Sequence, residues 1–377
     1  MAFIFWLSFF LLCSSYFIYP LLLVVIARVR GKKAIKADIT PFISLLVAAY
    51  NEENVIEKKL ENCLSLDYPK EKLEIVVASE STDRTNELVE KYKAKTVKLF
   101  AYSGRSGKSS LIYRTMPECA GEIIVLTDAN AIFQPDTLRK LVRSFADKRI
   151  GCVCGSLKYV NPQNTAIGES EGLYWKYETF IKKMEGRLQS VLGANGSIFA
   201  LRKSLYSPIS ENMGDDFELP IRVKQQGFGV VFEEEVLSLE EASQTTFQEF
   251  QRKKRIVGQF LISAFILLKK SFIPFQPLLL FQLVFHKILR WLAPLFLIPL
   301  FFSNFFLLAK PFYQLTFILQ IIFYGLALFG WQTEKRGRKL NTALNFIYYF
   351  SAINLAALFG LFNGVLGRQK PYWEKVR

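Results

Sequence analysis

Hydrophobic and polar positions divide this chain into three regimes. From Ala2 to Ala27 there is no charged residue, and the run exceeds the ~20 residues with which a helix crosses a bilayer. From Ile43 onward, short apolar runs alternate with segments of helical period. From Thr246 to the end, long apolar stretches return. In the middle regime Ile43–Ala49, Leu73–Ala78, Thr96–Tyr102 and the apolar residues after Glu122 (Ile123-Ile124-Val125-Leu126) read as buried strands. Between them Val55, Ile56, Leu60 and Leu64 fall at helical spacing. Thr82 or Asp83 can cap a helix through Leu88, Val89 and Tyr92, and Ser110–Met116 reads as a short helix. Strands recurring about every 25 residues with helices between them predict a doubly wound, mostly parallel α/β sheet.

The pattern then becomes mixed. Ile150–Leu157 reads as a strand and Gly168–Gln189 as a long helix. A glycine turn, Gly193-Ala194-Asn195-Gly196-Ser197, leads into the strand Ile198–Leu201. Gly214-Asp215-Asp216-Phe217-Glu218-Leu219 opens a helix that ends near Gly227. Thr246 begins a helix whose first half is basic and whose continuation is apolar to Leu268, as suits a helix lying at a membrane surface. An interfacial helix to about Phe285 and spans near Trp291–Ala309, Phe312–Trp331 and Ala343–Leu366 complete the reading. The expected division is a transmembrane helix at 1–28, an α/β domain at 29–245, amphipathic helices at 246–290 and membrane helices with a basic tail at 291–377.

Composition supports a membrane-attached chain, with 51% hydrophobic residues and 35 phenylalanines in 377. The first helix lacks a basic start and a small-residue cleavage site, so it reads as a retained span rather than a signal peptide. Arg28, Arg30, Lys32, Lys33 and Lys36 follow it at once, which places the middle domain in the cytoplasm by the positive-inside rule. The expected location is therefore the cell membrane, multi-pass. Thr333–Lys339 is also basic and should be cytoplasmic, yet this parse leaves the basic tail Gly367–Arg377 outside, against the same rule. The net charge of +15 is accounted for by such flanks and by a surface facing anionic membrane lipids. Nucleic acid is not an expected partner, because the cations do not interleave with aromatics along a soluble face. Cys152 and Cys154 share one strand face and read as small core residues. With one histidine, His286, a His-rich metal site is excluded.

Three strand ends deliver polar, mostly acidic sets: Tyr50 to Glu53, Glu80 to Asp83, then Asp128 with Asn130. The carboxyl ends of strands are where open α/β sheets bind ligands, and three such sets point to one shared ligand site. Asp128 and Asn130, at i and i+2 of an extended tip, can share a hard cation. Asp215 and Asp216 have a plainer reading as helix caps. Gly107-Lys108-Ser109 echoes a phosphate-binding loop, but the first glycine of that motif would fall on Tyr102.

Together these motifs resemble the membrane-integrated family 2 inverting glycosyltransferases of GT-A fold, which include the cellulose, hyaluronan and poly-N-acetylglucosamine synthases. The resemblance covers about residues 41–260. It implies transfer from a nucleotide-sugar, most simply a UDP-sugar, to a lipid-linked or polysaccharide acceptor. It also implies that Tyr50 and Glu52 lie near the base, that Glu80 accepts the uracil imide proton, and that Lys108 contacts nucleotide or phosphate. Asp128-Ala129-Asn130 occupies the Asp-x-Asp position, with Asp128 and Asn130 holding Mg2+ or Mn2+ and the sugar diphosphate. Asn130 supplies one negative charge fewer than the family's second Asp. Asp216 matches the general base and Asp215 its neighbour. Gln251, Arg252 and Arg255 match a Gln-x-x-Arg-Trp motif imperfectly, with Ile256 in place of Trp. The alternative reading is a non-catalytic membrane scaffold that keeps the fold.

Overall fold

The computed structural model describes residues 1–160, 166–209, 214–241, 246–338 and 340–366; the tail Gly367–Arg377 lies outside the described residues. Its first element, α1 (Ala2–Arg30), runs unbroken for 29 residues with one wide turn at Ser14–Ile18. The domain that follows is built from β1 (Ile43–Ala49), α2 (Ile56–Leu64), β2 (Leu73–Ser79), α3 (Thr85–Glu90), β3 (Val97–Ala101), α4 (Lys108–Thr115) and β4 (Ile123–Asp128). It continues with β5 (Ile132–Phe133), α5 (Thr137–Val142), β6 (Ile150–Val160), α6 (Ala166–Arg187), β7 (Phe199–Arg202), α7 (Asp215–Gln225) and β8 (Gly229–Glu241).

The eight strands form one sheet in the order β3-β2-β1-β4-β7-β6-β8-β5. The first four are parallel, as expected, with Ile43 opposite both Leu73 and Ile123. Alternate side chains enter opposite faces of the sheet. Leu45 and Val47 join a core with Ile56 and Leu60 of α2, whereas Leu46 joins one with Ile112 of α4 and Leu219 of α7. Cys152 and Cys154 are buried and free within the second core, as small core residues.

The second half is less parallel than the first. β7 runs antiparallel to both β4 and β6, while β6 pairs parallel with β8. Reversal of β7 has a functional consequence: the glycine turn before it lies at the same sheet edge as Asp128, since Phe199 faces Leu126. Strands β5 and β8 escaped the periodicity. β8 carries Glu233-Glu234-Glu235 in its middle, and the register with β6 slips there between Gly155 and Ser156. A bulge of this kind breaks the alternation on which a strand is recognised.

The remaining helices are α8 (Thr246–Lys270), α9 (Pro277–Trp291), α10 (Ala293–Phe305), α11 (Pro311–Lys335) and α12 (Thr342–Val365). Among the described residues three helices, α1, α11 and α12, are long and apolar enough to span by themselves, and α9 with α10 makes a fourth candidate bent by 60°. The expected single span from Trp291 to Ala309 is thus corrected. α10 has 13 residues, about 20 Å of helix, short of the ~30 Å hydrocarbon core. Helix α12 buries 44% of its most apolar stretch inside the protein, against 11% for α11. The reason is its seat on α8. A methyl group on Gly360 would lie 2.5 Å from the Lys254 carbonyl oxygen, and one on Gly364 would lie 2.8 Å from that of Gly258. Only glycine allows the two backbones this approach.

Candidate active site

The tips of β1 and β2 are tied together before any ligand arrives. Asn51 sits at φ +55°, a left-handed conformation that asparagine tolerates. Its backbone N–H donates to Ser81 Oγ at 2.8 Å, and its Oδ1 accepts from the Thr82 N–H at 2.8 Å. The Glu52 N–H donates to Thr85 Oγ1 at 2.8 Å. This lattice holds Tyr50 and Glu52 at the rim of a cavity of about 2010 Å³. The Arg105 guanidinium lies 4.5 Å from the centre of the Tyr50 ring.

Glu80 is buried at the end of β2. It accepts from the Ser106 N–H at 2.9 Å, from the Ser106 hydroxyl, from the Gly107 N–H at 3.3 Å and from Arg114 at 3.4 Å. It therefore clamps the loop before α4 while lining the cavity. Gly107, at φ +92°, turns that loop so that Lys108 starts the helix and points inward.

Lys108 joins the halves of the site. Its Nζ lies 2.8 Å from Asp128 Oδ1 and 3.4 Å from Asp215 Oδ2, and donates to the Gly196 carbonyl at 3.1 Å. Burial alone would lower its pKa, but Asp128 and Asp215 overcome this and hold it above the ordinary lysine value. Of the plain reading of Asp215 and Asp216, the dipole part stands and the capping part does not: both acids lie in the first turn of α7. Gly214 is the N-cap residue of α7, and no side chain caps it. Burial pushes the Asp215 carboxyl up to about 6, opposed by Lys108 and reinforced by Asp216 and Asp128. Burial also raises Asp216, with Lys108 and Lys182 acting against it.

The glycine turn brings these groups to one point. The Ala194 N–H donates to the Asp216 carbonyl at 2.7 Å. A methyl group on Gly196 would lie 3.4 Å from Asp216 Oδ2, 3.4 Å from Lys108 Nζ and 3.7 Å from Asp128 Oδ2. Groups from α4, β4 and α7 thus converge within a few ångströms. Asn130, Gln251, Arg252 and Arg255 line the same cavity. Arg252 pairs with the buried Glu249, at 2.6 Å, and donates to Tyr159 Oη at 3.1 Å. Burial lowers the pKa of Arg255, with Asp216 the first of the carboxylates that oppose this. The residues matched to the family's motifs all line this one cavity. Glu53 and Asp83, the other acids of the strand-end sets, do not line it; the Glu53 N–H donates to Asp83 Oδ2 at 3.3 Å and Glu53 Oε2 accepts from the Arg84 N–H at 3.3 Å, so they tie the two turns together.

Two groups were missed by sequence reasoning. Lys182 of α6 is buried and donates to Asn195 Oδ1 at 2.6 Å, while Asn195 Nδ2 donates to the Gly155 carbonyl at 2.6 Å. Glu240, near the end of β8, also lines the cavity, and burial raises its carboxyl to about 6, with Asp128 adding to the effect. Lys182 is one of three lysines on a long helix, beside Lys183. Glu240 stands on a strand that was not recognised. The only signal for either was charge in an otherwise core-facing run.

The mixed sheet, the acids along its edge and the cations facing them define a glycosyltransferase of GT-A architecture. The chain belongs to the glycosyltransferase-like family 2, which it matches over residues 41–258. It is 27% identical to the probable glycosyltransferase YdaM of Bacillus subtilis, over 89% of this chain and 86% of that one. It is 30% identical to the beta-monoglucosyldiacylglycerol synthase of Nostoc sp., over 53% of this chain but only 45% of that one. Among solved structures, the mannosyltransferase PcManGT from Pyrobaculum calidifontis, in complex with GDP-Man and Mn2+, superposes with a TM-score of 0.72. That match covers 97% of this chain and 99% of the other at 20% identity, and it shows the shared fold.

Proposed function

We propose that this chain transfers a sugar with inversion from a nucleotide-sugar, most simply a UDP-sugar, to a lipid-linked or polysaccharide acceptor at the cytoplasmic face of the membrane. The observation that carries the reading is the convergence of Lys108, Asp128 and Asp216 on the Gly196 turn. Asp216 is the general base. It takes the proton of the acceptor hydroxyl as that oxygen attacks the anomeric carbon, and the nucleoside diphosphate leaves from the opposite side. A raised carboxyl pKa suits a proton acceptor that works near neutrality. Lys108 and Arg255 hold the diphosphate, Tyr50 and Glu52 the base, and Glu80 meets the uracil edge while it clamps the Ser106–Gly107 loop.

The oxygens at the β4 tip fit a divalent ion, Mg2+ or Mn2+. Among the described residues no group of three His, Cys, Asp or Glu side chains forms a complete cage. Asp128 and Asn130 would hold the ion through two oxygens, a set that suits a metal taking its other ligands from phosphate and water. When bound, it supplies charge neutralisation for the departing diphosphate.

The scaffold alternative leaves the convergence without a purpose. Asp215 and Asp216 are carboxylates whose burial works against their charged forms, yet they are kept beside Lys108 in one cavity, an arrangement that marks functional sites. The test is nucleotide release by the purified full chain with UDP- and GDP-sugars, with and without Mn2+ or Mg2+. Metal-dependent UDP release is expected. Silence across the donor panel, with UDP failing to raise the melting temperature, refutes the enzyme and leaves the scaffold.

A further inference from the structure

The buried face of α2 carries one residue that does not suit an apolar stripe. Its buried positions are Ile56, Lys59, Leu60 and Cys63, the spacing of a helix packed on a sheet. Lys59 is 0% exposed, a depth that lysine almost never reaches unless its ammonium is partnered. Burial lowers its pKa, opposed by Cys63 and after it by Asp128 and Glu240. Lys59 does not line the cavity, and sugar transfer as described above makes no use of it.

A buried ammonium is costly unless its donors are used, and here they reach the two ends of the β4 tip. Lys59 Nζ donates to Thr127 Oγ1 at 3.0 Å and to the Ala131 carbonyl at 2.6 Å. It also lies 4.1 Å from the centre of the Phe133 ring, within cation–π range. Between Thr127 and Ala131 stand Asp128, Ala129 and Asn130, which line the cavity, whereas the two flanking residues do not. The Ala131 N–H donates back to the Asp128 carbonyl at 3.3 Å, so the tip is a turn whose ends are joined through the lysine head. Asn62, one helical turn further on, extends the attachment. Its Nδ2 donates to the Phe133 carbonyl and its Oδ1 accepts from the Phe133 N–H, both at 2.8 Å. Strand β5 then passes the hold to β8, with Ile132 facing Leu239, the residue before Glu240.

We infer that Lys59 is a positioning residue for the divalent ion and its diphosphate: by joining Thr127 to Ala131 it fixes the spacing and direction of the Asp128 and Asn130 oxygens. The inference rests on the reading of those two residues as the ion's ligands. Because Asn130 is neutral, the tip attracts a cation with a single carboxylate, and its affinity then depends on holding both oxygens where the ion's geometry needs them. Groups that orient metal ligands from behind contribute about 10- to 100-fold to metal affinity. Two lysines thus serve the tip in different ways. Lys108 meets Asp128 Oδ1 inside the cavity at 2.8 Å, while Lys59 holds the turn that carries Asp128.

The test reads binding rather than turnover. The nucleoside diphosphate that the wild type binds, UDP or GDP, is titrated calorimetrically into the purified full chain at a series of Mn2+ or Mg2+ concentrations. The quantity read is the metal concentration at half of the maximal gain in nucleotide affinity. Lys59→Met, close in length and without donors, should raise that midpoint by about 10- to 100-fold, with metal-free nucleotide binding near that of the wild type. Thr127→Val removes one of the two hydrogen bonds and keeps the cation. It should move the midpoint in the same direction by a smaller factor, and it gives the reading if Lys59→Met does not fold. Leu60→Val, in the core on the same helix, is the control for a loosened α2: it should lower the melting temperature and leave the midpoint unchanged. An unchanged midpoint in both Lys59→Met and Thr127→Val overturns the inference and leaves the metal reading standing. An equal shift in Leu60→Val also overturns it, since the effect would then be one of helix stability. A wild type that binds nucleotide without any response to metal removes the reading of Asp128 and Asn130 as ligands, and this inference with it.

Discussion

Replacing Asp216 with asparagine separates chemistry from folding at the point where this site is most exposed to refutation. The two side chains are nearly isosteric, and the hydrogen bond that ties the glycine turn to this position uses the Asp216 backbone carbonyl, so the turn stays in place. What disappears is the proposed proton acceptor. A positioned base contributes about 10²- to 10⁴-fold, so a loss near 10³ corresponds to about 4 kcal/mol of barrier. Stability should move the other way. Burial raises the Asp216 pKa above its unfolded value; ionisation therefore opposes folding at any pH above the raised value. The neutral variant should melt at the same temperature or slightly higher at pH 7. UDP affinity should remain near normal, because Lys108 keeps Asp128 and Asp215 as partners. Single-turnover transfer, calorimetric UDP binding and a melting curve read the three quantities. Loss of UDP affinity, or transfer above a tenth of the wild-type rate, would take Asp216 out of the base role.

Three other substitutions probe separate layers. Asp128→Ala should abolish metal-dependent UDP binding, whereas Asn130→Asp should keep or strengthen it; isothermal titration at varied Mn2+ decides, and weaker metal dependence in Asn130→Asp would assign Asn130 another role. Gly360→Leu forces a side chain against the α8 backbone; overpacking of this kind costs about 1–3 kcal/mol. Because α8 carries Arg252 and Arg255, kcat should fall with the melting temperature, and an unchanged kcat would mean that the seam does not position them. Asp147→Asn tests the attachment of the linker after α1. Hydrogen bonds from Arg149, and after them that from the Ile35 N–H, hold the Asp147 carboxyl well below its usual range despite burial. That stabilisation is present above the unfolded value of about 3.9 and vanishes as pH falls through the depressed folded one. The wild type should lead the variant by about 1–2 kcal/mol at pH 7, since Arg149 itself is largely in solvent, and the lead should narrow in melts below pH 4.

The parallel half of the sheet and its ligand-facing tips were legible because one signal served both. Runs such as Ile43–Ala49 are apolar on both faces, as a strand covered by helices must be, and each ends abruptly at polar residues. Asp128 and Glu80 were found by that contrast alone. The antiparallel half lacked it. β8 is interrupted by three glutamates at its bulge, so Glu240 could not be assigned to a strand or to the site. Asp215 and Asp216 were visible, but acids at a helix start equally suit the helix dipole, and nothing in their spacing revealed that α7 brings Asp215 to Lys108. His286 was noted as the single histidine. Nothing local linked it to its hydrogen-bond partners Glu178 and Glu185, about a hundred positions earlier.

That last pairing shows what periodicity omits in a protein that joins a sheet to long apolar helices. A hydrophobic pattern reports which side of an element is buried, not what it is buried against. Helix α8 has one basic stretch and one apolar one, and its composition is satisfied by a lipid surface. In the folded chain its Lys254 and Gly258 carbonyls instead meet the glycine face of α12, while Arg252 and Arg255 line the site. Lipid would satisfy the same apolar residues without fixing their depth or rotation. Backbone contact at Gly360 and Gly364 fixes both. The glycines of α12 therefore set the position of Arg252 and Arg255 as directly as the sheet sets that of Asp128.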